Sequence, residues 1–221
     1  MRHPDDIAAF AEANESEFAD PNQFLYYMSC YQACVPKTFW DVSSASVNRN
    51  LSTFKKVLKY CAKRKTAQKN GLGLLFTGDN GTGKSTFVSF VLTQMLRRGC
   101  SVYYTTLSGL DKSIKQGFDD KQAARRLDRL LDSDFLAIDE LGKEYHRSDS
   151  FLNARLEMLL KQRCDDGDPT LLASNMDYAA LCTMYGGSIG SILDGKYVKL
   201  AMAEGDSRKL QAARISKELG I

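Results

Sequence analysis

Long apolar runs are scarce in this sequence. The longer ones, such as Leu72–Phe76 and Phe135–Ile138, fall far short of the roughly 18 to 20 residues needed to cross a bilayer, so no transmembrane helix is expected. A secretory leader is lacking as well: Met1–Phe18 carries acids where such a leader needs a basic end and an apolar core, and a cytoplasmic location is expected. Histidine occurs only as His3 and His146, and the six cysteines (Cys30, Cys34, Cys61, Cys100, Cys164, Cys182) never adopt a CxxC spacing. A structural zinc site is therefore not expected, and in a reducing compartment the thiols should stay free. No internal repeat or low-complexity tract is present. With 43% hydrophobic and 26% charged residues among 221, the composition excludes a disordered or fibrous chain and leaves room for one large domain or two small ones.

The net charge of +3 is too small to point to a nucleic-acid partner by itself, but its distribution is uneven. Met1–Cys30 holds six acids and one arginine, whereas Asn48–Asn70 holds eight lysines or arginines and no acid. The sign changes near residue 47. Pro21 is predicted to open a helix with Phe24, Leu25, Met28 and Tyr31 on one face, closed by Pro36. Residues 1–47 read as a small helical lead-in and 48–221 as the main domain. In the basic segment, Phe54, Val57, Leu58 and Cys61 have the spacing of a buried helical stripe, with Lys55, Lys56, Lys59 and Lys63 on nearly the opposite side. Two readings stay open for that ridge: a solvated helix face, or a surface that contacts phosphates.

After Gly71 the pattern alternates. Gly73–Thr77, Ser101–Thr105, Phe135–Ile138, Thr170–Ser174 and Tyr197–Ala201 read as strands. Ser85–Arg98, with Phe87, Val88, Val91, Leu92 and Met95, reads as an amphipathic helix; Ala123–Leu131 and Phe151–Arg163 read as two more. Such alternation predicts an α/β fold, a parallel sheet with helices on both faces.

Gly78-Asp79-Asn80-Gly81-Thr82-Gly83-Lys84-Ser85 completes the pattern G-x-x-x-x-G-K-[ST] between a predicted strand and a predicted helix. Glycines let successive N–H groups turn inward on a phosphate, and the helix N-terminus adds its positive end. Gly78 to Thr86 are the candidate nucleotide-binding residues. Lys84 is placed to reach the β- and γ-phosphates, and Ser85 to ligate Mg²⁺. About 55 residues on, the apolar run from Phe135 ends in Asp139-Glu140, a Walker B pattern. Asp139 is the candidate to hold Mg²⁺ through water, and Glu140 to orient or deprotonate the water that attacks the γ-phosphate. Asn175, after the run Thr170–Ser174, suits a group that senses the γ-phosphate between these elements, although asparagine is also favoured at strand-ending turns.

Taken with the segments Asp132–Glu144, Pro169–Asp177, Tyr185–Leu193 and Glu204–Arg208, this order of motifs closely resembles the DnaC and IstB type of AAA+ ATPases. The resemblance begins near Ala33-Cys34-Val35-Pro36-Lys37-Thr38-Phe39-Trp40 and ends at Arg208. It implies an AAA+ P-loop core using ATP and Mg²⁺, single-stranded DNA binding, and contact with a replicative hexameric helicase, in a loader of phage or mobile-element origin. The same resemblance admits a transposase-helper ATPase that prefers duplex DNA, and a nucleotide switch that scarcely hydrolyses ATP is a third reading. A homo-oligomer is compatible with the family. By resemblance, Lys84, Glu140, Asn175 and Arg208 are the catalytic candidates, Arg208 from its G-x-D-x-R segment. Many relatives carry an arginine in an S-R-L segment where this chain has Ser191-Ile192-Leu193, so slow hydrolysis without partners is expected unless Arg208, Arg163 or Arg155 substitutes. Only 13 residues follow Arg208, too few for a multi-helix C-terminal lid.

Overall fold

The computed structural model describes residues 20–44, 47, 52–117, 120–143 and 150–202. Five strands, β1 (Gly73–Thr77), β2 (Val102–Thr106), β3 (Phe135–Leu141), β4 (Thr170–Ser174) and β5 (Tyr197–Ala201), form one sheet in the order β2-β3-β4-β1-β5. Every pairing is parallel. The expected α/β architecture is present.

Helices are α1 (Pro21–Gln32), α2 (Ser52–Ala62), α3 (Arg64–Lys69), α4 (Lys84–Leu96), α5 (Leu107–Gly117), α6 (Lys121–Leu131), α7 (Ser150–Asp166) and α8 (Tyr178–Lys196). Successive strand residues point to opposite faces of the sheet, and the core divides accordingly. Leu74, Phe76, Tyr104, Phe135, Ala137, Leu171 and Ala173 join the cluster built with α1, α2 and α4. Leu75, Tyr103, Leu136, Ile138 and Leu172 join the cluster built with α5, α7 and α8. Because both faces are covered, β1 and β4 are buried along their whole length and read as continuous apolar runs.

Helix α4 corrects one expectation. It is buried all round, including Ser89, Phe90 and Thr93, because α1, α2 and the stretch around Trp40 cover its outer side. Phe54 of α2 meets Phe90 with ring centroids 6.2 Å apart. Trp40 is 3% exposed and its indole N–H donates to the Val35 carbonyl at 2.8 Å, while Tyr26 Oη donates to the Trp40 carbonyl at 2.8 Å. The backbone N–H of Tyr104 donates to the Ala33 carbonyl at 2.9 Å, so the N-terminal stretch also finishes the free edge of β2.

Other boundaries move for local reasons. Helix α1 stops at Gln32 rather than Pro36, because Cys34 takes a positive φ of 58° and the chain turns before the proline. Leu25 is 61% exposed and is not part of the buried face. In α2 the buried stripe is Thr53, Phe54, Val57, Tyr60 and Cys61, with Leu58 exposed; Tyr60 replaces it by reaching the Leu72 carbonyl through its hydroxyl at 2.7 Å. Lys55, Lys56, Lys59 and Lys63 are all exposed. Among the described residues no helix is long and apolar enough to cross a membrane.

Candidate functional site

The loop Gly78–Gly83 leaves the C-terminal end of β1 and enters α4 with Gly83 in the left-handed region at φ 89°. A side chain there would be strained, and glycine lets the chain reverse tightly into the helix. Gly78 has a second constraint: a Cβ on it would lie 2.3 Å from the Met202 carbonyl, so the chain after β5 can pass only over a glycine. Lys84 opens the helix and folds back under the loop. Its ammonium, 7% exposed as a residue, donates to the carbonyls of Gly78 and Asp79, each at 2.7 Å, and to Thr82 Oγ1 at 3.4 Å. Thr82 Oγ1 in turn donates to the Asp79 carbonyl at 2.9 Å. The loop is thus wrapped around one positive charge.

Beside it opens a cleft of about 290 Å³ lined by Asn80, Gly81, Gly83, Lys84, Ser85, Thr86, Asp139, Glu140, Lys143, Ala173, Asn175, Thr38 and Phe39. Strand order explains the convergence. β4 lies between β1 and β3, so the residue that follows β4, Asn175, comes between the loop after β1 and the acids on β3. Gly78, Asp79 and Thr82 do not line the cleft and contact Lys84 instead. Arg208 lies outside the described residues, as does the stretch after it.

The acids sit on a deformed stretch of strand. Regular pairing of β3 with β4 runs to Ile138–Leu172 and resumes at Leu141–Ser174, with a bulge between. Glu140 occupies that bulge at φ 63°, a conformation rare for a residue with a side chain and one that bulges use to redirect side chains. Asp139 is 5% exposed; its Oδ1 accepts from the Glu140 N–H at 2.7 Å and its Oδ2 from Tyr104 Oη at 2.6 Å. Burial, and then the Asp139 charge, push the Tyr104 hydroxyl far above the usual phenol range, so it remains a donor. Glu140 is half-exposed and in contact with the Lys143 ammonium.

Ser85 and Asp139 offer a hydroxyl and a carboxylate, hard oxygen donors suited to Mg²⁺, which binds through one or two carboxylates plus substrate phosphates. These two residues fit that ion.

Motif reading missed four participants. Tyr104 lies 35 residues from Asp139 in sequence and meets it only across paired strands. Thr38, Phe39 and Lys143 line the cleft through tertiary folding; the family-like run Asp139–Glu144 was the one available pointer to Lys143. Arg163 is a correction. Rather than reaching the cleft, it is 2% exposed, and its guanidinium donates to Thr170 Oγ1 (3.0 Å) and to the carbonyls of Leu131 (2.6 Å), Ser133 (2.8 Å) and Pro169 (3.4 Å). It ties the C-terminal end of α6 to the start of β4. Burial lowers its pKa.

Comparison with known proteins agrees with this arrangement. Residues 48–191 match the family described as IstB-like ATP binding protein. The replicative helicase loader DnaC of Buchnera aphidicola subsp. Baizongia pistaciae is 28% identical over 121 residues, which cover 53% of this chain and 48% of that protein. The chain spans about half the length of the curated relatives it matches. Among solved structures, the DnaC helicase loader superposes with a TM-score of 0.66 at 18% identity, covering 76% of this chain and 100% of that one. DnaI gives 0.65 at 19% identity, covering 76% and 94%. These two likenesses show the fold. With a phosphate-type loop at the end of β1, the acids two strands away and a family match over most of its length, the chain belongs to the IstB-like ATP-binding family, of the DnaC/IstB AAA+ type with ATP as its ligand.

Proposed function

We propose that the protein is an ATP-dependent helicase loader: it binds single-stranded DNA and a replicative hexameric helicase during DNA replication, and originates from a phage or mobile element. The observation that carries the ATP-handling part is the cleft in which Lys84, Ser85, Asp139, Glu140 and Asn175 meet. The similarity to DnaC supports the choice of partner.

In this reading residues 48–221 are the ATPase domain and the 1–47 region contacts the partner. The loop from Gly78 to Thr86 cradles the phosphates, and Lys84 offsets charge on the β- and γ-oxygens. Ser85 and Asp139 hold Mg²⁺, which when bound neutralises phosphate charge. Glu140 takes a proton from the attacking water as its oxygen bonds to the γ-phosphorus; the bond to the β-phosphate oxygen breaks and ADP leaves with that electron pair. Asn175 reads the γ-phosphate, and Arg208 acts near the nucleotide. Self-association of the chain accompanies loading. The exposed lysines at 55, 56, 59 and 63 contact the DNA backbone.

The test is capture of purified replicative helicase by the protein with and without ATP, together with DNA binding across a salt series. ATP-dependent capture is expected. Binding to single strands should weaken with salt, and each lost lysine contact should flatten the log–log slope by about 0.7. Charge reversal at 55, 56, 59 and 63 that leaves the slope unchanged would make the ridge a solvated face. A transposase-helper role is the second reading, favoured by the IstB-like family match; clear preference for duplex DNA and no helicase capture would select it.

A further inference from the structure

Phosphoryl transfer gains from a second positive charge at the γ-phosphate oxygens, beyond the loop lysine, supplied from the same chain or from a neighbour, and arginine is the usual donor. Among the described residues no arginine lines the cleft. Arg163 is committed to carbonyls at the end of α6 and the start of β4. Arg155 places its guanidinium carbon 5.1 Å from the centre of the Phe151 ring. The cations that do line the cleft are Lys84 and Lys143.

Lys143 stands on a turn held from several sides. The Leu141 carbonyl accepts from Ser174 Oγ at 2.7 Å, the Gly142 N–H donates to Tyr185 Oη at 3.0 Å, and the Lys143 N–H donates to the Glu140 carbonyl at 3.2 Å. Gly142 has φ 86°, and a Cβ on it would meet Met176 Sδ at 2.5 Å, so the turn stays closed around glycine. Strand β4 and helix α8 therefore fix the backbone from which Lys143 projects. Its ammonium touches Glu140 Oε1. Since Glu140 is the carboxylate that handles the attacking water, a cation in contact with it stands at the γ-phosphate end of the cleft.

We propose that Lys143 is a catalytic cation acting in cis on the γ-phosphate. Resting on the ATPase reading above, this assigns it the neutralisation of charge on the γ-oxygens while water adds to the phosphorus, the water proton passes to Glu140 and ADP departs. Lysine is a flexible point charge rather than a planar fork, so its contribution should be smaller than that of an arginine finger.

The experiment compares wild type, Lys143→Ala and Lys143→Arg for turnover and for affinity toward ATPγS and ADP. In Lys143→Ala, turnover should fall about 10- to 100-fold, below the 10³ to 10⁵ of an arginine finger, and ATPγS affinity should weaken several-fold while ADP affinity stays unchanged. Lys143→Arg should recover part of both. Faster turnover in Lys143→Ala would overturn the proposal by showing that the lysine restrains Glu140. Equal affinities and equal turnover would reduce the contact to a surface ion pair. If the wild type itself does not turn over ATP, the ATPase reading fails; the comparison of ATPγS with ADP then still decides whether Lys143 meets the γ-phosphate.

Discussion

Tyr104 Oη donates to Asp139 Oδ2 across 2.6 Å inside the fold, where Tyr104 pairs with Ala137 and Asp139 is its diagonal neighbour on the same face. A hydrogen bond to a charged group contributes about 1.5 to 3 kcal/mol, and this one also fixes the direction of the carboxylate. Tyr104→Phe keeps the ring and removes only the bond. The Mg²⁺ concentration that half-saturates the metal-dependent part of ATP binding should rise several-fold, with affinity in EDTA unchanged. Equal losses with and without Mg²⁺ would mean that the hydroxyl supports the fold and not the metal acid.

Lys84→Ala and Glu140→Gln should separate binding from turnover. Removing Lys84 takes away the charge around which the loop is wrapped, so tight ATP binding should be lost. Glu140→Gln removes only the carboxylate proposed to accept the water proton, and the variant should bind ATP while failing to turn it over. Nucleotide titration and phosphate release decide both. Undiminished ATP affinity in Lys84→Ala would contradict the loop assignment.

Arg163 should matter for folding and not for the reaction. Its replacement by alanine leaves the carbonyls of Leu131 and Ser133 without this donor, and an orphaned buried group costs about 1 to 3 kcal/mol. A loss of about 3 kcal/mol in urea unfolding is expected, with ATP affinity of the remaining folded protein intact. Unaltered stability would show that water replaces the guanidinium freely.

Alkaline pH should destabilise the protein through buried thiols. Burial raises Cys30 to about 11 and Cys61 to about 12 from the ordinary 9.0. Both acids keep their protons in the folded chain at a pH where the unfolded chain has lost them. Their contribution is whole below pH 9 and declines as pH rises through 9 toward 11 and 12. The urea midpoint should drop between pH 8 and pH 10.5, less steeply in Cys30→Ala. Parallel slopes for the two proteins would place the titration elsewhere, for instance on Tyr26, which burial raises to about 12.

The positions of strands and of the phosphate-type loop, which depend on backbone and spacing, were legible in the sequence. β1, β4 and β5 fall on the residues expected, and the loop from Gly78 to Ser85 stands between strand and helix as its glycines require. Helix α8 was not readable, since Gly186, Gly187, Gly190 and Gly195 suggest a loop; it is kinked at Gly186, φ 81°. In α5, Leu107, Leu110 and Ile114 have a helical spacing and form its buried side. Arg163 looked like any helix-surface cation, because nothing near it in sequence announces the carbonyls of Leu131 and Ser133. The partnership of Tyr104 with Asp139 depends on strand register, which no local pattern encodes.

The bond from the Tyr104 N–H to the Ala33 carbonyl bears on how this protein can be dissected. β2 is an outer strand of the sheet, and an unprotected outer strand invites another chain to add to it. The stretch from α1 to Trp40 blocks that edge and also shields the outer side of α4. Deleting residues 1–47 would therefore bare a pairing-competent strand and an apolar helix flank, and the shortened chain should aggregate. Loss of partner capture by such a truncation would then report insolubility, and point substitutions on the exposed side of α1, such as Leu25→Ser, are the cleaner probes.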